Sequence, residues 1–265
     1  NFTIVGKITL QRPDQAEPDW VVGESRFINW TPTGTFASVI IQGSTNAFAN
    51  ETQVWNITTV PAGANATNQS FNYSPVGDNI SNNVKIRISD ANPARFALVN
   101  DTSTDSFKIK GKLTVASPDA GTEVWVAGTK PTINWVRAGS IQNISIRCYD
   151  GSSWNSVTNV LSGTPEYNGS AYSNWTVPDT AVKATKQARI NITDVGESTV
   201  TDESNNTFLI RGALAITAPS TYGERIMANT TYNITWTKTG IYSPTDNVKI
   251  EYRIGNGTWQ SVWSD

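Results

Sequence analysis

The sequence predicts an all-β protein built as tandem antiparallel β-sandwiches stacked end to end, the last one incomplete. Three observations predict it. A segment that alternates apolar and polar residues and stops at Gly occurs three times, as Phe2-Thr3-Ile4-Val5-Gly6, Phe107-Lys108-Ile109-Lys110-Gly111 and Phe208-Leu209-Ile210-Arg211-Gly212; period-two alternation is the signature of a half-buried strand. Ile28-Asn29-Trp30 returns as Ile133-Asn134-Trp135 and Ile234-Thr235-Trp236, with Trp spacings of 105 and 101 residues. The closing Gly residues repeat at the same spacings, which marks a repeat architecture. The third observation is composition. Only 16% of the residues are charged, and Thr, Ser and Asn fill the difference. These residues compete with helical hydrogen bonds, while β-branched side chains suit strands.

Counting repeats gives the organisation. Residues 7–111 and 112–212 are whole units, and 213–265 is the first half of a third. Residues 1–6 carry a closing strand with no unit of their own. Within each unit the opening strand (Ile8-Thr9-Leu10, Leu113-Thr114-Val115, Leu214-Ala215-Ile216) runs to Pro13, Pro118 or Pro219. An edge segment follows, Trp20-Val21-Val22-Gly23 or Trp125-Val126-Ala127-Gly128, with Ile226-Met227-Ala228-Asn229 in its place in the third unit. Then come the strand of the repeated Trp, a Val/Ile strand at Val39, Ile144 or Val248, and a turn leading to Trp55, Trp154 or Trp259. The second half holds Phe71–Pro75 against Tyr172–Pro178, Lys85–Asp90 against Arg189–Asp194, and the closing strand. About seven short strands in about 100 residues, separated by turn signals, indicate the immunoglobulin type of sandwich. Only Gly111-Lys112 and Gly212-Ala213 separate one unit from the next. So short a linker leaves little freedom, and a rod is expected.

The succession I-T-x-P, G-x-x-W-x-x-G, I-x-W, V-x-I, G-x-x-W, W-x-V-P, I-x-I-x-D and F-x-I-x-G resembles the Ig-like domain of the fungal Ser/Thr-rich GPI-anchored cell-wall protein family, which also recurs in prokaryotic surface proteins. The second unit matches nearly throughout. The first departs at Tyr73-Ser74-Pro75 and in its longer middle, and the third matches only to Trp263. The resemblance implies an extracellular, wall- or surface-associated module and carries over no catalytic residue.

The strongest chemical motif is the N-x-S/T sequon, an acceptor for N-linked glycans. It occurs at Asn1, Asn29, Asn50, Asn56, Asn65, Asn68, Asn72, Asn79, Asn100, Asn143, Asn168, Asn174, Asn191, Asn205, Asn229, Asn233 and Asn256, which is 17 of 26 asparagines. With Ser and Thr at 58 of 265 positions, composition alone gives about five or six such acceptors. Strand alternation around Asn29 and Asn191 turns their apolar neighbours inward and both side chains toward solvent. Covalent N-linked glycans are the only attached group expected.

Other classes are disfavoured. A net charge of −2 offers no basic patch for nucleic acid. No apolar run approaches the roughly 18 residues of a membrane span, and no signal peptide is visible, so a mature segment is expected. Histidine is absent, which removes the usual general base and the commonest metal ligand, and no enzyme is expected. Cys148 is the one cysteine, and its alignment with inward-facing Tyr252 makes it a buried small hydrophobe. Nine of the ten Trp residues fall at repeating positions and are expected in cores rather than on a sugar-stacking platform. Acidic pairs Asp101/Asp105 and Asp202/Glu203 suit turns better than a Ca2+ clamp, lacking a ligand spacing.

These readings give two functional expectations. One is the structural subunit of a glycosylated extracellular filament, sheath or surface layer. Its contacts would run head to tail between copies of the chain, with Phe2, Ile4 and Gly6 donated as a strand to a neighbour's open third unit. One strand replaces only part of the missing half, so a window cut from a longer array explains the same ends. The other expectation is a cell-surface adhesin or wall-polysaccharide binder displaying loops such as Ala47–Pro61 and Ser162–Gly169. A non-catalytic appendage of a secreted enzyme is a third, weaker fit.

Overall fold

The computed structural model describes residues 4–160, 169–178, 185–221, 223–240 and 247–262. Asn1, Phe2, Asn168, Trp263 and all of the Ser162–Gly169 loop except its last residue lie outside this set.

The first unit contains β1 (Lys7–Arg12), β2 (Trp20–Val21), β3 (Arg26–Thr33), β4 (Ser38–Ser44), β5 (Val54–Pro61), β6 (Gln69–Tyr73), β7 (Ser81–Asp90), β8 (Asn100–Thr102) and β9 (Phe107–Lys110). One sheet has the order β1-β3-β6. The facing sheet has the order β2-β9-β7-β4-β5, with β8 added on β7. All pairs are antiparallel except the short edge β2, which lies parallel to β9 through Trp20↔Ile109. The second unit repeats this with β10 (Lys112–Ser117), β11 (Val124–Val126), β12 (Ile133–Ala138), β13 (Ile144–Tyr149), β14 (Trp154–Val160), β15 (Ala171–Tyr172), β16 (Thr185–Asp194), β17 (Thr201–Glu203) and β18 (Phe208–Arg211). Its sheets run β10-β12-β15 and β11-β18-β16-β13-β14, with β17 on β16. The chain is a tandem of immunoglobulin-like sandwiches.

Alternation explains the cores. In the first unit Ile8, Leu10, Ile28, Trp30, Val39, Ile41, Val84, Ile86, Ile88 and Ile109 are buried between the sheets, and their counterparts fill the second core. Burying each such side chain contributes about 1.5–3 kcal/mol against chain entropy. Trp20 stacks on Phe107 at 4.4 Å between ring centroids, and Trp125 repeats the contact on Phe208 at 4.4 Å. A register shift recurs in the opening strands, after Leu10 and after Val115. The backbone N–H freed there donates to a carboxylate from the other sheet: Leu10 to Asp101 at 2.8 Å and Val115 to Asp202 at 2.7 Å. Those acidic residues therefore tie sheet to sheet. Among the described residues no group of three His, Cys, Asp or Glu is placed to hold a metal.

The third unit is half a sandwich. It comprises β19 (Ala213–Ala218), β20 (Thr235–Thr239), β21 (Glu251–Tyr252) and β22 (Gln260–Ser261), paired as β19-β20 and β21-β22. The β19–β20 register copies the first two units: Ile216↔Trp236 stands where Leu10↔Trp30 and Val115↔Trp135 stand, with the same shift after it. Asn229 has φ +60 where Gly23 and Gly128 have φ +88 and +83, so the edge turn is also conserved in conformation. Among the described residues nothing covers its core. Ile216 is 66% exposed and Trp236 40% exposed, and with Leu214, Ile234, Val248 and Trp259 they line an open trough of about 360 Å3.

At the second joint glycine backbone meets glycine backbone, Gly240 against Gly212, whereas at the first Gly139 faces the Ile80, Asp78 and Val22 side chains of the preceding unit. Gly34, Gly139 and Gly240, each four residues past the repeated Trp, have φ of +102, +89 and +99. A methyl group on Gly34 would lie 3.1 Å from the Gly6 Cα, and one on Gly240 would lie 3.0 Å from the Gly212 Cα. Gly111 is buried, and a methyl there would meet the Ile141 side chain at 2.8 Å and the Ala138 carbonyl at 2.9 Å. Gly111→Ala is therefore expected to destabilise the second sandwich by about 1–3 kcal/mol through overpacking. Chemical denaturation followed by Trp fluorescence checks this, and an unchanged midpoint would show that the joint gives way freely.

Candidate functional site

Fifteen of the 17 sequon asparagines fall among the described residues. Eleven are exposed, four (Asn29, Asn79, Asn143, Asn191) are half-buried, and none is buried. They occupy both sheets and several loops. Asn72 is on β6, paired with exposed Phe27 of β3, and Asn56 is on β5. Asn50 accepts from Thr52 N–H and Oγ–H, both at 2.9 Å, at the start of the 3-10 turn Glu51–Gln53. Asn65, Asn68, Asn100, Asn174, Asn205, Asn229, Asn233 and Asn256 are exposed on loops or strand ends.

Two positions depart from the solvent-facing expectation. The Asn29 Oδ1 is buried with no donor among the described residues. The Asn191 Nδ2 donates to Thr201 Oγ1 at 3.0 Å and to the Asp202 carbonyl at 3.2 Å, holding β17. Alternation takes no account of such cover, which at Asn191 comes from the short strand β17. The Asn100 and Asn205 amides are also engaged, with Ala97 O at 3.1 Å and Asp119 Oδ2 at 3.0 Å. An N-glycosidic bond at Asn100, Asn191 or Asn205 replaces one N–H of that amide, so glycan there competes with a fold contact.

The aromatic residues divide by unit. Trp20, Trp30, Trp125, Trp135 and Trp175 are buried and Trp55 and Trp154 half-buried, whereas Trp236 and Trp259 of the third unit are exposed. Cys148 is fully buried, and desolvation, with the nearby Asp150 charge, pushes its thiol up to about 12. No thiolate is available there at neutral pH.

Ion-pair and hydrogen-bond contacts cross the joint between the first two units. Lys108 Nζ of β9 pairs with Glu197 Oε2 of the second unit at 2.6 Å, and Lys110 Nζ donates to Thr199 Oγ1 at 3.2 Å. The Asp78 carboxylate accepts from Ser140 N–H at 3.1 Å and from the Ser140 hydroxyl. The hydrogen bond from Lys108, then that from Thr199, holds the Glu197 carboxyl down to about 2, and Glu197 raises Lys108 in turn. A carboxyl held below its ordinary value near 4.5 stabilises the joint fully above that value. This contribution is lost as pH falls from about 4.5 through about 2. Acidification over that window is expected to loosen the joint, read as growth in small-angle scattering flexibility. Glu197→Gln should remove this acid response; a response identical in the variant would assign it elsewhere.

Sequence reading missed these joint groups. The Gly34/Gly139/Gly240 series was findable, because it repeats at the same 105 and 101 spacings as the Trp series. The Asp78–Ser140 and Lys108–Glu197 pairs had no signal, since each joins residues of different units without a repeat.

No protein-family model matches the chain, and no curated protein matches it. Solved structures with partial similarity include an ICAM-5 D1-D4 ectodomain fragment, at 12% identity and a TM-score of 0.37, covering 96% of this chain and 73% of that one. Two titin tandems, A168-A169 and A164-A165, align at 10% and 8% identity with TM-scores of 0.34 and 0.30. They cover 77% and 78% of this chain and 98% and 99% of their own.

Proposed function

We propose that this chain is a section of an N-glycosylated extracellular rod, a structural element of a cell surface, sheath or filament. The observation that carries the reading is the placement of the sequons: a threefold excess over composition, with none of the described ones in a core. Glycans at these positions coat both sheet faces, add solubility and shield sheet edges from pairing. The short glycine joints and the cross-joint Lys108–Glu197 pair favour an extended arrangement over independently tumbling beads. The likeness of the repeat motifs to the cell-wall Ig-like family points to the same setting.

Strand order refines how copies would join. In a complete unit the closing strand β9 lies between β2 and β7, and it is β7 that pairs with β4. Among its described residues the third unit has counterparts of β1, β3, β4 and β5. Donation of Phe2-Thr3-Ile4 could therefore fill only the place beside Ile226–Ala228. A second strand of the Val84-x-Ile86-x-Ile88 type is needed to reach the β21 edge. Ile4, 87% exposed, suits the first of these roles.

An adhesin reading has one observation of its own. Two loops are longer in the first unit than in the second, 45–53 and 91–99, and both reach Arg87. The Arg87 guanidinium sits 4.3 Å from the Phe48 ring centroid and 5.4 Å from that of Phe96. The second unit has the sequon Asn191 at this place. Electron microscopy and scattering of the glycosylated chain separate the readings. Extended particles, joined end to end at high concentration, support the structural role. Compact bent particles, with glycan-array binding abolished by Phe48→Ala, support adhesion instead.

A further inference from the structure

We propose that Asn143 carries a glycan whose first sugar fills the groove between the first two sandwiches and fixes the angle between them; this rests on the N-glycosylation reading above. The groove is a cavity of about 250 Å3 with walls from both units: Ile80, Lys108 and Lys110 from the first, Gln142, Asn143 and Glu197 from the second. A groove of this size holds several waters, the scale of one sugar residue. Its walls suit that occupant. Lys110, Gln142 and Glu197 supply donors and acceptors for hydroxyls, and Ile80, 41% exposed, offers an apolar surface to the C–H face of the ring. The sugar needs no intrinsic affinity, because the covalent bond holds it at high effective concentration.

The consequence is mechanical. The cross-joint contacts of Lys108, Lys110 and Asp78 favour an extended arrangement, but they are few, so a residual hinge motion about the two-residue linker remains. A sugar wedged against both walls removes that freedom. The other joint lacks this acceptor: the residue before the Val/Ile strand of the third unit is Asn247, followed by Val248-Lys249, which is no sequon. The first joint is thus the one that glycosylation stiffens.

The test uses the whole chain secreted from an N-glycosylating host. Spin labels go on Gln11→Cys and Ala116→Cys, exposed equivalent positions on β1 and β10, while buried Cys148 stays unlabelled. Peptide mapping first reports occupancy. With Asn143 occupied, the interlabel distance distribution should be narrow. It should broaden by about twofold, as expected of sandwiches without a packed interface, in both Asn143→Gln and Ser145→Ala, the latter removing the sequon but keeping Asn143. Asn72→Gln, on a sheet face, should leave it unchanged. An equal width in all variants, or broadening by Asn72→Gln as well, overturns the inference. Occupancy elsewhere with Asn143 bare overturns it too while sparing the glycoprotein reading, whereas no occupancy at any sequon overturns both.

Discussion

Trp30→Ala is expected to destabilise the first sandwich by about 3–5 kcal/mol, while Trp236→Ala, at the same place in the repeat, should change stability by about 1 kcal/mol or less. The two indoles have the same strand, register and opposite partner (Leu10 and Ile216). What differs is the cover. Trp30 is 2% exposed, packs in the first core, and its Nε1–H donates to the Ala62 carbonyl at 3.2 Å. Its removal leaves a cavity and an unpaired carbonyl. Trp236 is 40% exposed in an open trough, so truncation removes little buried area. Unfolding followed unit by unit in denaturant gives both numbers, since successive sandwiches need not unfold as one transition. An equally large loss at Trp236 would mean that the third core is covered in solution, by another copy or by further chain.

The comparison shows what repetition made legible. Alternation and the recurring I-x-W and F-x-I-x-G segments were enough to place the tandem sandwich class, the inward Trp residues of the first two units and the buried Cys148. Strand β8, Asn100–Thr102, was not legible. Three polar residues carry no alternation, and the strand exists because Asp101 reaches the freed Leu10 N–H and because β9 pairs only the Ser81–Val84 end of β7, leaving its Arg87–Ser89 edge to β8. The same short strand in the second unit, Thr201–Glu203, covers Asn191, which is why an outward-facing asparagine turned out half-buried. The side-chain contacts of the joint were hidden for a related reason. They depend on the angle between two units, and the pattern within either unit does not encode it.

The sequon surface was legible as a list of positions and not as a ranking. Exposed Asn72, Asn174 and Asn256 present an amide with no competing donation among the described residues, whereas Asn100 and Asn191 already spend theirs on the fold. Sites of the first kind are expected to be more fully occupied than those of the second, because the glycan there displaces no contact.

The central claim, a glycan-clad surface rod, is tested most directly by the intact mass of the chain secreted from an N-glycosylating host. The bare polypeptide has a mass of 28.8 kDa. The account predicts a set of masses well above that value, collapsing toward it on enzymatic or chemical removal of glycans, with modified peptides spread over all three units. A single species at 28.8 kDa from a host that glycosylates a control protein would contradict it.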